Sequence, residues 1–579
     1  MLTPFGEIPD RFASGMSLAE QHEWLTARTS RRAVLHGLVL AGAAAATPAL
    51  WRQPARAAGA QVLSRLLTVG VDPSREVTLA VSIDAPFGSA HVEARAGTGE
   101  VRAEVDVHVV RGSSMRYGQA RLKGLAPGTD YSYRVVLDGA PASTGHFRTA
   151  SADPAPFRFT AFGDQGVGYH SALMLRQVTA LDPAIHLVAG DICYANQNGR
   201  GRPGDIFRPR LWDAWLVQNN PVAATVPFLC ALGNHEMEPG FDVHGYAGVL
   251  ARLPLPSKSP LGCPASWAVR YGAVGFVGLD SNDVSHELPA NRGYTAGEQT
   301  RWLKSTLMEM RRPGSGIDFI VVVLHHSPYG SNEAHASEGG VREEWVPLFD
   351  RYAADLVIAG HNHCYERTLP LRGGSVAGFD ADRVDSTVGT TYVTVGGGGA
   401  NATPTFIQEG LTRVNTAEGP RVETVEWTLP ERTGRHAVLV ADVDPGAGPG
   451  QTSTLTLRAV DEFGETVDRV VLRRPASARP AIVAPAPGDD WSRTGLVVAG
   501  SVGAAALAAG SVAGVAALRR RPRAAVRAGS APPPRVLVRP LVERRDASDP
   551  GNDTRDPRTD DRAGDDVRDP GEGARPTGD

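Results

Sequence analysis

Phe157-Arg158-Phe159-Thr160-Ala161-Phe162-Gly163-Asp164-Gln165-Gly166 is an apolar run that ends in a Gly-Asp turn. The run reads as a buried strand, and the turn leaves a carboxylate at its C-terminal end. Alone, such a pair marks an ordinary turn. The chain repeats the arrangement. Ile185 to Ala189 leads to Gly190-Asp191-Ile192-Cys193-Tyr194, and Val226 to Leu232 leads to Gly233-Asn234-His235-Glu236. Ile317 to Leu324 leads to His325-His326-Ser327-Pro328, and Leu356 to Ala359 leads to Gly360-His361-Asn362-His363. Clusters in this order predict strands whose C-terminal ends converge on one rim, where open α/β sheets place ligands.

Helices between the clusters make the pattern that of an α/β sandwich, two β-sheets flanked by helices. The clearest helix is predicted over Ala296 to Met310, with Thr295 and Glu298 as a capping box and Leu303, Leu307 and Met310 on the core face. Upstream, Val62 to Thr149 alternates in short strands such as Val77 to Ile83, Ser114 to Leu122 and Tyr131 to Leu137, which predicts a small antiparallel sandwich. Downstream, Thr424 to Leu472 alternates about a hairpin-like turn, Ala459 to Gly464, and is expected to add terminal strands to the α/β domain.

The chain has 579 residues and is 42% hydrophobic, enough for two folded domains plus appendages. A formal net charge of -4, with no basic stretch interleaved with aromatics, speaks against a nucleic-acid partner. The four cysteines, Cys193, Cys230, Cys263 and Cys364, lack CxxC spacing and read as small buried hydrophobes.

Near the N-terminus, Thr29-Ser30-Arg31-Arg32 precedes the apolar run Ala33 to Leu50, and Ala55-Arg56-Ala57 offers a small-residue cleavage site. This has the outline of a twin-arginine export signal, which implies the twin-arginine machinery as partner and export in the folded state. Thr494 to Leu518 carries no charge and is followed by Arg519-Arg520-Arg521-Pro522-Arg523, so a C-terminal transmembrane helix is expected, with the folded region that bears the clusters outside the cell. The expected organisation is a signal region over 1–57, an all-β sandwich over 58–152, the α/β domain over 153–475, a linker over 476–493, a membrane helix over 494–518 and a disordered cytoplasmic tail over 519–579.

Carboxylate, amide, imidazole and phenol form a hard-to-borderline donor set that suits iron, manganese or zinc. Histidines at i and i+2 in Gly360-His361-Asn362-His363 can reach two neighbouring metals, and Asp191 can bridge them with its two oxygens. His170, His186, His286 and His436 match no cluster and read as structural or exposed.

All five clusters, in order, resemble those of purple acid phosphatases within the calcineurin-like metallophosphoesterases. The similarity extends to Tyr365-Glu366-Arg367 and to His335-Ala336-Ser337-Glu338-Gly339. Leu125 to Tyr133 is similar to a corner of fibronectin type III-like domains, which members of the family often carry in front. The resemblance implies a dinuclear centre in which Asp164, Tyr194 and His363 hold Fe(III), Asp191 bridges, and Asn234, His361 and His326 hold a divalent Fe, Zn or Mn. His326 is preferred to His325 because the family's His stands two residues before a proline. His235 and His335 match positions that contact phosphate, His335 also protonating the leaving group. The implied activity is acid-phosphatase hydrolysis of a small phosphate monoester. The alternatives are a phosphodiesterase or nucleotide-cleaving enzyme and, further off, a surface binding protein with a degenerate enzyme domain. The turn Gly396 to Gly399 departs from the pattern by lacking an Asp, and Cys364 beside the last His pair is a second departure.

Overall fold

The computed structural model describes residues 2–3, 6–7, 16–26, 59–256, 263–403, 405–427 and 431–477. Two seven-stranded sheets carry the predicted clusters. In the first, Phe157–Phe162, Ile185–Ala189 and Phe228–Ala231 run parallel, with Phe159 opposite Ile185 and His186 opposite Phe228. Ala437–Asp444 pairs antiparallel on the other side of Phe157–Phe162, followed by Thr452–Asp461 and Thr466–Pro475, so the alternating C-terminal stretch does add strands to this sheet. In the second sheet Val274–Gly278, Phe319–Val323, Leu356–Ala359 and Thr391–Val395 are parallel. Trp267–Tyr271 closes one edge, and Tyr365–Arg367 with Glu431–Thr433 the other, all antiparallel.

The central strands are unbroken apolar runs because both of their faces are covered. Phe319, Val321 and Val323 meet Phe159, Ala161 and Leu187 of the first sheet in one core. Ile320 and Val322, on the opposite face, pack with Leu303 and Leu307 of the helix Glu298–Met310 in another. That helix buries the predicted face but lacks the predicted capping box. Gly297, at a φ of 77°, is its N-cap. The Thr295 hydroxyl instead donates to Asp283 at 2.5 Å, a tertiary partner that outcompetes the local cap, and Glu298 accepts from Arg301 one turn along the helix.

Residues 62–148 form two four-stranded antiparallel sheets, one of Val62–Val69, Glu76–Ile83, Arg116–Lys123 and Asp106–Val109, the other of Ala140–Arg148, Asp130–Leu137, Ala90–Ala96 and Gly99–Glu104. Leu67, Leu79, Val92, Tyr133 and Phe147 form a separate core there. At its corner the Tyr131 hydroxyl accepts the Ala126 N–H at 2.9 Å. The cysteines are all buried and no disulfide joins them.

Before these sheets, Leu18–Thr26 is a helix in a stretch whose sequence shows no pattern. The twin-arginine motif with its cleavage site, the run Thr494 to Leu518 and the tail lie outside the described residues. The expected membrane-anchored placement does not stand. Among the described residues no helix is long and apolar enough to cross a membrane. The longest, Arg210–Ala223, has 14 residues, contains Arg210 and Asp213, and reaches about 21 Å against a hydrocarbon thickness of about 30 Å.

Candidate metal centre

The turns after the strands meet where the two sheets abut. Asp164, Asp191, Tyr194 and His361 all adopt left-handed backbone, at φ of 57°, 49°, 57° and 68°. Each costs on the order of 1 kcal/mol, a strain that clusters at functional sites. Two glycines let the turns touch: a Cβ on Gly233 would stand 2.2 Å from Asp191 Oδ1, and one on Gly360 would stand 2.5 Å from Asp164 Oδ2. Glu236 ties the second and third turns together by accepting the N–H groups of Asp191 and Ile192 at 2.8 Å and of Gly233 at 2.7 Å. Burial, then the Asp191 charge, pushes its carboxyl up to about 8.

Donor atoms gather in two groups. In one, the Tyr194 hydroxyl is 3.2 Å from Asp164 Oδ1 and 3.0 Å from His363 Nε2. His363 Nδ1 donates to the Asn401 carbonyl at 2.8 Å, which leaves Nε2 with a lone pair toward the group. In the other, His325 Nε2 is 3.0 Å from Asn234 Oδ1, 3.3 Å from Asp191 Oδ1 and 3.1 Å from His361 Nδ1. His325 Nδ1 donates to the Ala189 carbonyl at 2.9 Å and Asn234 Nδ2 donates to the Gly199 carbonyl at 3.1 Å. These bonds turn lone pairs inward. Asp164, Asp191 and His325 share a third set of donor atoms, which puts Asp191 between the groups.

Acceptors facing one another inside a protein require a positive charge between them. In protons alone this falls on His325: burial opposes its charge, yet the Asp191 carboxylate carries it up to about 10. Burial would raise Asp191, but the His325 and His235 imidazoles hold it well below the usual carboxylate range. Burial and then the Asp164 carboxylate push the Tyr194 phenol far up, so only a cation could displace its proton. The residues therefore fit metal ions, with imidazoles oriented by carbonyls as metal ligands usually are.

His326 forms a further set of donor atoms with His325 and His361, all within 4.8 Å of one another. The His326 Nδ1 lies 2.8 Å from Ser281 Oγ, and its buried Nε2 has no hydrogen-bond partner among the described residues. The Ala189 carbonyl turns His325 toward Asn234 and Asp191, while the His326 ring stands 4.5 Å, centroid to centroid, from that of His361, so both imidazoles of the pair border the centre. His235 borders the groups, its Nδ1 2.5 Å from the Asn196 carbonyl and its ring 4.4 Å from that of Tyr194. His335 stands at the mouth, ring centroid 4.1 Å from that of His361.

One residue went unread in the sequence. Glu287 Oε1 lies 3.2 Å from His335 Nδ1 and Oε2 lies 3.1 Å from His361 Nε2, while Asn415 Nδ2 donates to Oε2 at 2.9 Å. Burial would raise this carboxyl, but the His361 and His335 imidazoles hold it well below its usual range. A lone acid in a loop carries no motif; its only sequence signal is a position after the strand Val274–Gly278, which ends on the same rim.

The helix Leu18–Thr26 covers the Tyr194 side. Leu18 packs with Tyr194 and Ala400, and its N–H donates to Asn401 Oδ1 at 2.8 Å. Gln21 Oε1 accepts the Tyr169 N–H at 2.6 Å, and His22 Nε2 accepts that of Val167 at 3.1 Å. A cavity of about 630 Å³, lined by Arg111, Arg202, Phe207, Met237 and Phe241, lies beside the centre and includes no residue of either donor group.

Residues 157–365 match the family described as Calcineurin-like phosphoesterase. An uncharacterized protein of Mycobacterium tuberculosis is 31% identical over 489 residues, spanning 74% of this chain and 90% of its own length. Purple acid phosphatase 23 of Arabidopsis thaliana is 29% identical over 300 residues, 48% of this chain and 61% of its own. The solved structure of purple acid phosphatase PPD1 from yellow lupin (Lupinus luteus) seeds is similar in fold, with a TM-score of 0.58 at 20% identity over 72% of this chain and 75% of that one.

Proposed function

Because the chain belongs to the purple acid phosphatase-like calcineurin-like phosphoesterases and is a hydrolase of phosphoric ester bonds, we propose that it cleaves small phosphate monoesters at a dinuclear metal centre. The observation that carries this reading is the pair of lone-pair groups joined by Asp191. Asp164, Tyr194 and His363 would hold Fe(III), Asp191 would bridge, and Asn234, His361 and one of the His325-His326 pair would hold a divalent Fe, Zn or Mn. Tyr194 favours the trivalent ion, since its raised phenol pKa demands a strong charge to become tyrosinate. When bound, the two cations supply hydroxide from water and neutralise the phosphate oxygens.

The chain's own residues do the rest. His235, anchored on the Asn196 carbonyl, presents its other nitrogen to a phosphate oxygen. Glu287 orients His335 through its Nδ1, and in the imidazolium form Nε2 would carry the proton that passes to the departing oxygen, making His335 the general acid. Glu287 orients His335 and His361 together. The two N-terminal sheets are read as a fibronectin type III-like domain over 58–152 ahead of the catalytic domain over 153–475, with the Tyr131 to Ala126 bond as the corner typical of such sandwiches.

The test is the purified full chain, assayed for metal content, visible absorption, and hydrolysis of an aryl phosphate monoester against a diester. The expected result is iron plus a second ion, a colour that Tyr194→Phe removes, and faster monoester cleavage. A colourless protein holding only zinc or manganese and cleaving only diesters overturns the proposal.

A further inference from the structure

We infer that His170, His436 and Glu462, which the sequence leaves unassigned, form a separate binding site for a zinc-like divalent cation. The three come from distant parts of the chain: the first turn of the helix Tyr169–Leu181, the residue before the strand Ala437–Asp444, and the hairpin between Thr452–Asp461 and Thr466–Pro475. One donor atom of each lies within 4.8 Å of the others. His170 Nδ1 is 2.6 Å from Glu462 Oε2, and the two imidazoles stack with centroids 4.3 Å apart. His436 Nδ1 lies 3.1 Å from the Gly397 carbonyl and so carries the proton, which leaves Nε2 a lone pair. A ligating imidazole is held in this way, its second nitrogen donating to a carbonyl. Burial, and then His170, bring His436 down to about 4, so the ring is neutral and able to coordinate. Two imidazole nitrogens and one carboxylate make a borderline set suited to zinc, and half-buried His170 leaves a position open to water.

The site is distinct from the phosphoesterase centre but mechanically joined to it. Gly397 belongs to the glycine turn from which Gly398 N–H donates to the Gly163 carbonyl at 2.9 Å and Ala400 N–H to the Asp164 carbonyl at 2.8 Å. A cation at the cluster would tie a helix start, a strand start and a hairpin tip behind the wall that carries Asp164. Its role is that of a staple.

The experiment loads the full chain with zinc, dialyses it, and counts bound zinc by mass spectrometry in the native protein, Glu462→Gln, His436→Ala and His363→Ala. Glu462→Gln can still hydrogen-bond His170 and so separates ligation from folding. The expected result is one zinc fewer in each cluster variant with phosphoester hydrolysis unchanged in Glu462→Gln, and a zinc-dependent rise in Tm that is smaller in both cluster variants than in His363→Ala. Equal zinc content in the native protein and Glu462→Gln, with equal zinc-dependent Tm shifts, overturns the site and leaves only a hydrogen-bonded His-Glu pair.

Discussion

His325 and His326 are neighbours in sequence with different surroundings, because the Ala189 carbonyl pins the first ring toward Asn234 while Ser281 takes the second. His325→Ala and His326→Ala decide between them which imidazole is the ligand: the variant that removes it is expected to lose a metal ion and to lower kcat/KM by more than about 100-fold, beyond the 10- to 100-fold typical of outer residues, and the other to keep its metal content. Metal analysis beside initial rates separates them. Glu287 acts through two imidazoles, so Glu287→Gln should lower kcat/KM by about 10- to 100-fold with both ions retained; a variant that loses metal instead would make Glu287 part of the ligand set. Glu366, which accepts from Ser331, sets a pH dependence. Burial, opposed by bonds from Ser331, raises its carboxyl from 4.5 to about 7. Its contribution to stability is therefore complete below about pH 4.5 and is lost as the pH rises through 7, by about 3 kcal/mol. Tm measured across that range should fall in the native protein, and Glu366→Gln should flatten the fall.

At the scale of elements, the site is made by turns that follow buried strands, and its precision comes from how closely those turns can approach. Gly233 and Gly360 permit contact with Asp191 and Asp164, and Glu236 closes the bridge between the second and third turns. This part was legible, since each cluster announced a strand end and a turn. The helix Leu18–Thr26 was not, because its ordering depends on partners more than a hundred residues away, Val167 and Tyr169 among them. Gln21→Ala removes the acceptor of the Tyr169 N–H, a bond worth about 1 kcal/mol, and should speed hydrogen exchange at that amide about fivefold. Unchanged exchange would mean that the helix does not hold this loop. The Glu298–Met310 helix shows the converse failure: its apolar stripe was readable, yet its capping box lost to Asp283.

Across the whole molecule the two sheets must hold a fixed distance for the two donor groups to share Asp191. Besides the common core, Arg367 of the second sheet bonds Asp468 of the first through Nε at 2.5 Å and Nη2 at 2.9 Å, and Tyr365 donates to the same carboxylate at 2.6 Å. Arg367→Ala leaves the Asp468 carboxylate with Tyr365 but without its charged partner and should cost about 3 kcal/mol in a denaturant titration. The sequence by itself determined the buried strands, their order and the donor types at their ends, because apolar periodicity and Gly-flanked polar turns are local properties, and the resemblance of its clusters pointed to the phosphoesterase family. Only the tertiary structure decided that His325 and His326 both meet His361, that Glu287 joins them, that the N-terminal helix covers Tyr194, and that His170, His436 and Glu462 come together. Each of these depends on a carbonyl, a lone pair or a packing surface supplied by a distant segment, and no spacing along one strand encodes it.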